Sequence, residues 1–281
     1  MMHIDFYSVS CIGLKRPVNQ DSVFAESFDD RIGLFVIADG MGGHYMGELA
    51  SQHITEEISI WWQEQLDSDF CKGFDECRCE LLRILRDAND HIFDNYTAKG
   101  KICGSTVVVM FIYEKKYFLV NVGDSRLYMY EDNCLKKLNF DHTYGEVAVK
   151  NGTITKEEAV NSPKREKLVE AIGCKKEFNE YQFCDAIGYT RYLLCSDGLY
   201  KMLPLSKLNA EVGKMKSPVQ KICRNLIKKV YSAGAKDNVS CILIDISDGK
   251  SEPFIDVDLI LWVIILVIMT FLLFYLFLGG K

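Results

Sequence analysis

No run of lysines and arginines occurs in the sequence and the formal net charge is −6, which argues against a nucleic-acid binder. No Cys-x-x-Cys pair occurs either. The 11 cysteines are odd in number and scattered, fitting neither a zinc ribbon nor a secreted disulfide framework; reduced, mostly buried thiols are the expectation. The first ten residues carry Asp5 and no long apolar run, so no signal peptide is read there. Repeats and low-complexity segments are missing too. What remains is a chain of 281 residues, 48% hydrophobic and 26% charged, an ordinary globular composition with length for one large domain or two small ones.

The C-terminal end breaks that pattern. Residues 259–278 include no charge, and only Trp262, Thr270 and Tyr275 interrupt the aliphatic and phenylalanine run. Twenty residues at ~1.5 Å each reach ~30 Å, the thickness of a bilayer's hydrocarbon core. A transmembrane helix is expected over 259–278, behind a short polar linker over 249–258, with a folded domain over 1–248. Asp256 and Asp258 precede the span and Lys281 follows it. One lysine orients a span weakly, whereas a thiol-rich domain without an export signal belongs in the cytoplasm. A single-pass, C-terminally anchored membrane protein with a cytoplasmic domain is the expectation.

Within the domain, β-branched and aromatic runs predict strands over 34–38, 106–113, 117–122, 126–130, 192–195 and 240–246. The second and third read as a hairpin, which 126–130 extends as a meander. Apolar residues at steps of three and four predict a helix from Phe74 to Tyr96, and another over about 47–66. Ser217-Pro218-Val219-Gln220 opens a third helix, with Pro218 at its first position, and Thr155 with Glu158 forms a capping box for a short fourth. Two helices together, then strands in succession, favour a layered sandwich with antiparallel sheets over a doubly wound parallel one.

Four aspartates sit at the margins of those strands. Asp39 precedes Gly40, Asp124 follows Gly123, Asp197 precedes Gly198, and Asp237 stands before the final strand; Asp21 lies in Arg16-Pro17-Val18-Asn19-Gln20-Asp21. Asp-Gly is a common turn pair, but none of these lies in an evident two-residue hairpin loop. Glycine allows close backbone approach, and strand ends hold side chains rigidly. Clustered carboxylates repel unless cations neutralise them, and oxygen ligands without a nearby His/Cys set suit Mg²⁺ or Mn²⁺. The residues alone therefore reach a metal-dependent hydrolase, with phosphate esters as the chemistry such ions serve.

The ordered segments RPVNQD, VIADGMGGHYMGELAS, GSTVVV, NVGDSRLY, DHT, LVEAIG, LLCSDGL and AKDNVSCILI resemble the metal-dependent protein phosphatases of the PPM (type 2C) family, in its compact bacterial form. The resemblance spans about residues 16–246. It implies an α+β fold, a four-layer αββα sandwich of two antiparallel sheets flanked by helices. It implies a serine/threonine protein phosphatase with two Mn²⁺ or Mg²⁺ ions, attacking phosphoproteins with a metal-bridging water. By the same resemblance Asp39 bridges the ions, the Gly40 carbonyl completes one shell, Asp197 and Asp237 ligate opposite, and Asp21 acts mainly through waters. Asp124 with Asp197 marks a weaker third ion, and Arg16 clamps phosphate with its planar fork.

Met41 stands where members with a DGHxG segment carry a histidine thought to protonate the leaving group. His44 is the candidate replacement as general acid; loop structure is its other reading, and His142 reads as a loop-orienting residue. Residues 141–173 correspond to a flap that affects substrate choice, where Lys164, Arg165 and Lys167 could meet acidic or phosphorylated substrates or simply be solvated. The implied partners are phosphorylated proteins and a serine/threonine kinase or its targets at the membrane. A catalytically silent phosphoprotein-docking module is the alternative reading.

Overall fold

Continuous apolar stretches bounded by Gly, Asp and Lys turns produce two antiparallel sheets in the computed structural model, which describes residues 2–42, 46–70 and 72–248. The strands are β1 (His3–Cys11), β2 (Asp21–Phe28), β3 (Ile32–Met41), β4 (Gly104–Ser105), β5 (Val107–Tyr113), β6 (Lys116–Val122), β7 (Arg126–Glu131), β8 (Cys134–Lys137), β9 (Tyr181–Ala186), β10 (Arg191–Cys195) and β11 (Val239–Ser247). The helices are α1 (Met46–Asp67), α2 (Phe74–Asn95), α3 (Tyr144–Lys150), α4 (Lys156–Asn161), α5 (Asp197–Tyr200), α6 (Leu205–Val212) and α7 (Val219–Ser232). One sheet runs β1-β11-β10-β7-β8; the other runs β2-β3-β5-β6-β9, with β4 paired to β3. The described residues belong to one compact unit, Met1–Gly249.

Alternation along the strands builds three apolar layers. Phe35 and Ile37 of β3 and Val108 and Met110 of β5 meet Leu194 of β10 and Ile242 and Ile244 of β11 between the sheets. Their neighbours Leu34, Val36, Val109 and Phe111 point the other way, onto Ile54, Ile58 and Trp62 of α1 and Leu81, Leu85 and Ile92 of α2. Leu193, Cys241 and Leu243 cover the far face of the other sheet with Leu226 and Val230 of α7. Helices, sheet, sheet, helices: the layering is the expected sandwich.

Two local expectations are corrected. Strand β7 does not extend the β5–β6 hairpin; it pairs with β10 and β8 in the opposite sheet. Gly123, at φ +103°, allows the chain to cross between sheets there, and a side chain at that position would collide with Thr106. Pro218 is the N-cap of α7 rather than its first helical residue. Thr155 caps α4 as its capping box predicts, with Glu158 reaching back to the Thr155 backbone. The region 141–173 holds a second helix, α3, that no periodicity announced. Ten cysteines are free among the described residues, five of them buried and three exposed. The linker 249–258, the span 259–278 and His44 lie outside the described residues; among those described, no helix is long and apolar enough to cross a membrane.

Candidate active site

The carboxylates meet because the strands that carry them end at one margin of the sandwich. Asp21 opens β2 and is the register partner of Asp39 near the end of β3. Asp124 sits in the crossing from β6 to β7, Asp197 starts α5 directly after β10, and Asp237 stands just ahead of β11. A cavity of about 270 Å³ is lined by Arg16, Asp39, Gly40, Asp124, Asp197 and Asp237. Asp21 lies behind it, 8% exposed. Both sheets therefore contribute acids to one cleft.

Backbone and hydroxyl contacts fix these positions. The Ser196 and Ser240 hydroxyls donate to Asp21 Oδ2 at 2.8 and 2.7 Å. Asn238 Nδ2 donates to the carbonyls of Ile12 and Val18, both at 2.9 Å, while its Oδ1 accepts the Gln20 amide. One buried side chain thus shapes the segment that presents Arg16. The Thr106 amide donates to the Asp39 carbonyl at 2.9 Å. Gly40 packs so closely on Gly47 of α1 that a Cβ would sit 2.0 Å from the Gly47 carbonyl oxygen, which explains glycine beside Asp39. Gly198 likewise abuts the Asn238 carbonyl.

So many acids in one place are electrostatically costly. Burial raises the Asp39 carboxyl well above its ordinary range, and Asp21, Asp197, Asp124 and Asp237 add to the rise. Burial pushes Asp21 up to about 6 against the two serine hydrogen bonds, and raises Asp124, with Asp197 adding to it. Two fixed cations offset part of this: Arg16 donates to Asp237 Oδ2 at 2.7 Å, and Lys201 donates to Asp197 Oδ2 at 2.7 Å. Among the described residues Asp39 has no such partner, and Asp21 Oδ1 is buried with no hydrogen bond. An all-oxygen donor set with an orphaned buried oxygen and excess negative charge suits hard divalent cations completed by water. Among the described residues no three acidic side chains form a ready-made cage for an ion; Asp237 and Asp197 engage Arg16 and Lys201.

A stability prediction follows from Asp21. Its folded-state pKa lies above the unfolded value, so its contribution is present below about pH 4 and lost as pH rises through about 6. Without ions this group should cost up to about 3 kcal/mol at pH 7.5. Asp21→Asn in EDTA is expected to raise the melting temperature at pH 7.5 and to leave it unchanged at pH 4. An equal melting temperature at pH 7.5 would show that Asp21 carries no such strain.

Sequence reasoning named the acids and Arg16 but missed Lys201, Asn238, Ser196 and Ser240. Lys201 was detectable, four residues after Asp197 and hence one helical turn away. His142 orients a loop as read: its Nδ1 accepts the Gly123 amide at 3.1 Å, and burial lowers its pKa. Met41 lines the cleft. A second cavity of about 460 Å³ adjoins it, lying against α3 and α4, with Asp124, Glu166 and Lys201 in the shared wall and Arg165 in its lining.

The family model for protein phosphatase 2C matches residues 15–243. The chain belongs to that family. This protein phosphatase 2C is 28% identical over 247 residues to the serine/threonine phosphatase stp of Listeria welshimeri, covering 87% of this chain and 96% of that one. It is 30% identical over 248 residues to the serine/threonine protein phosphatase PstP of Mycobacterium tuberculosis, spanning 86% of this chain and 46% of the relative. Among solved structures, the PstP catalytic domain in complex with two manganese ions superposes with a TM-score of 0.72 at 29% identity, covering 88% of this chain and all of that one. Stp1 of Staphylococcus aureus gives a TM-score of 0.72 at 27% identity, covering 87% and 95%. Like its family, the phosphatase is a metal-dependent serine/threonine enzyme.

Proposed function

We propose that this phosphatase removes phosphate from phosphoserine and phosphothreonine of proteins at a membrane surface. The observation that carries the chemistry is the convergence of acids from both sheets on one cleft with Arg16 at its edge. Its cofactor is Mn²⁺ or Mg²⁺. Asp39, the Gly40 carbonyl, Asp197 and Asp237 would hold the ions, Asp21 would act through water, and Asp124 completes the acidic wall. When bound, the ions supply Lewis-acid activation of a water and neutralise the phosphate's charge.

The chain's own residues prepare the rest. Arg16 spends one N–H on Asp237, leaving guanidinium donors for phosphate oxygens. Asn238 holds the Arg16 segment against the acids. Met41 lines the cleft without a titratable proton, so the leaving hydroxyl takes its proton from water or from His44. The thiols take no part; the pKa of buried Cys195 is raised by burial, away from a nucleophilic thiolate. A docking module is not favoured, because the full set of acids is retained.

Residues 259–278 are proposed as a transmembrane anchor with the domain on the cytoplasmic side, where a membrane-bound kinase or its targets are the partners. Anchoring raises the local concentration of enzyme at such partners without a new contact. One experiment tests both proposals. The full chain and residues 1–248 are each mixed with lipid vesicles, sedimented, and assayed on a phosphothreonine peptide in EDTA and then Mn²⁺. Phosphate release only after Mn²⁺ is expected, in the pellet for the full chain and in the supernatant for 1–248. Release in EDTA would remove the metal mechanism, and a soluble full chain would remove the anchor.

A further inference from the structure

Lys201 lies in a place where an ion would be expected. Its ammonium is 2.7 Å from Asp197 Oδ2 and 3.6 Å from Asp124 Oδ2, so it bridges an acid that follows a strand of one sheet and an acid at the crossing between sheets. Glu166, in the wall shared by the two cavities, adds a third negative charge that acts on it. The surroundings are fixed. Tyr200 donates its hydroxyl to Asp124 Oδ2 at 3.0 Å, and its ring lies under the Arg126 guanidinium at 3.4 Å. Arg126 is itself tied to buried Asp141 through Nε and Nη2, at 2.9 and 2.6 Å. The Lys201 amide donates to the Asp197 carbonyl at 2.9 Å, so the tether to the ammonium is one helical turn.

We propose that Lys201 is a built-in cation that takes the place of a divalent ion between Asp124 and Asp197. This rests on the metal-cleft reading above and changes one of its details. The family resemblance marks Asp124 with Asp197 for a weaker third ion; here the chain supplies that charge itself. An ammonium and a divalent ion cannot share the same oxygens, because two cations at 3–4 Å in a partly buried site repel by more than water screens. The two ions are thereby left to the oxygens that Lys201 does not engage, those of Asp39 and Asp237 and the second oxygen of Asp197, beside the orphaned Asp21 oxygen. The ammonium also needs no refilling: it holds Asp124 and Asp197 together at any metal concentration. Lys201 acts here as a positioning residue.

The test counts ions. The full-length protein, with Lys201→Met, Lys201→Gln and Lys201→Arg variants, is titrated with Mn²⁺ at pH 7.5, and bound metal is read from the loss of the free Mn²⁺ electron paramagnetic signal. Lys201→Met and Lys201→Gln should each bind one more Mn²⁺ per chain than the parent, and Lys201→Arg should bind no more. Asp124→Asn in the parent should leave the count unchanged. Equal counts for parent, Met and Gln variants, or loss of one ion on Asp124→Asn, overturn the inference while leaving the metal cleft in place. A parent that binds no Mn²⁺ overturns the metal cleft itself, and this inference with it. Circular dichroism spectra matching the parent's identify which neutral variant is folded, and two are made so that one suffices.

Discussion

Asp39→Asn is expected to lower turnover at least about a thousandfold, which corresponds to ~4 kcal/mol of lost transition-state stabilisation. The substitution keeps size and shape and removes only charge. The backbone around position 39 is held independently: its carbonyl accepts the Thr106 amide, its amide donates to Thr106 Oγ1 at 3.3 Å, and the strand remains paired to β2. No core volume is lost. In EDTA the variant should be at least as stable as the parent, since the acid with the most like-charged neighbours becomes neutral. Lost activity, lost Mn²⁺ affinity and an intact or higher melting temperature form the expected triple. Near-normal kcat/KM from a folded variant would remove Asp39 from the centre of the chemistry.

Arg191→Met should have the largest effect on stability. Arg191 is 1% exposed at the start of β10, and all five of its N–H groups are used. Nε donates to Asp245 Oδ2 at 2.9 Å, Nη1 to the carbonyls of Val212 and Lys214, and Nη2 to those of Met215 and Ser217. One guanidinium thus closes the connection between α6 and α7 and pins it to the sheet. Methionine fills similar volume but leaves four carbonyls and a carboxylate without their donor. Removing one side of such a buried network costs about 3–5 kcal/mol. For a domain of this size, that is a fall in melting temperature of roughly 10 °C. A fall of less than ~2 °C would mean that water replaces the guanidinium without cost.

What the sequence reveals and what it hides divide along a physical line. Strands β3, β5, β6, β7, β10 and β11 were all expected, and each lies in the interior of a sheet. Of the unseen strands, β1, β8, β2 and β9 are the four edges, and the two-residue β4 lies off the main path, paired to β3. An interior strand covered on both faces is a continuous apolar run such as Val107–Tyr113, whereas edge strand β9 reads Tyr-Gln-Phe-Cys-Asp-Ala and exposes Gln182 and all of Cys184–Ala186. Helices α1 and α2 showed themselves through long stripes; α3, with seven residues, has too few turns for a period. Sheet membership was hidden as well, since the pattern of β7 says that it is a strand and nothing of its partners. In the cleft, Asp39, Asp124, Asp197 and Asp237 were legible because turn chemistry beside a strand is local. Ser240 and Asn238 were not, because their roles depend on residues up to 226 positions away.

The last strand of the domain is also a central one. β11 lies between β1 and β10, with Asp237 and Asn238 just ahead of it. A nascent chain that has left the ribosome through β10 already contains Arg16, Asp21, Asp39, Asp124 and Asp197. It lacks the partner of Arg16 and the clamp on the Ile12–Gln20 segment. The first strand meanwhile has no neighbour to pair with until the final one arrives. The cleft is therefore complete only once β11 has joined the sheet: a chain ending at β10 holds nearly every acid of the site but neither Asp237 to pair Arg16 nor Asn238 to hold its segment.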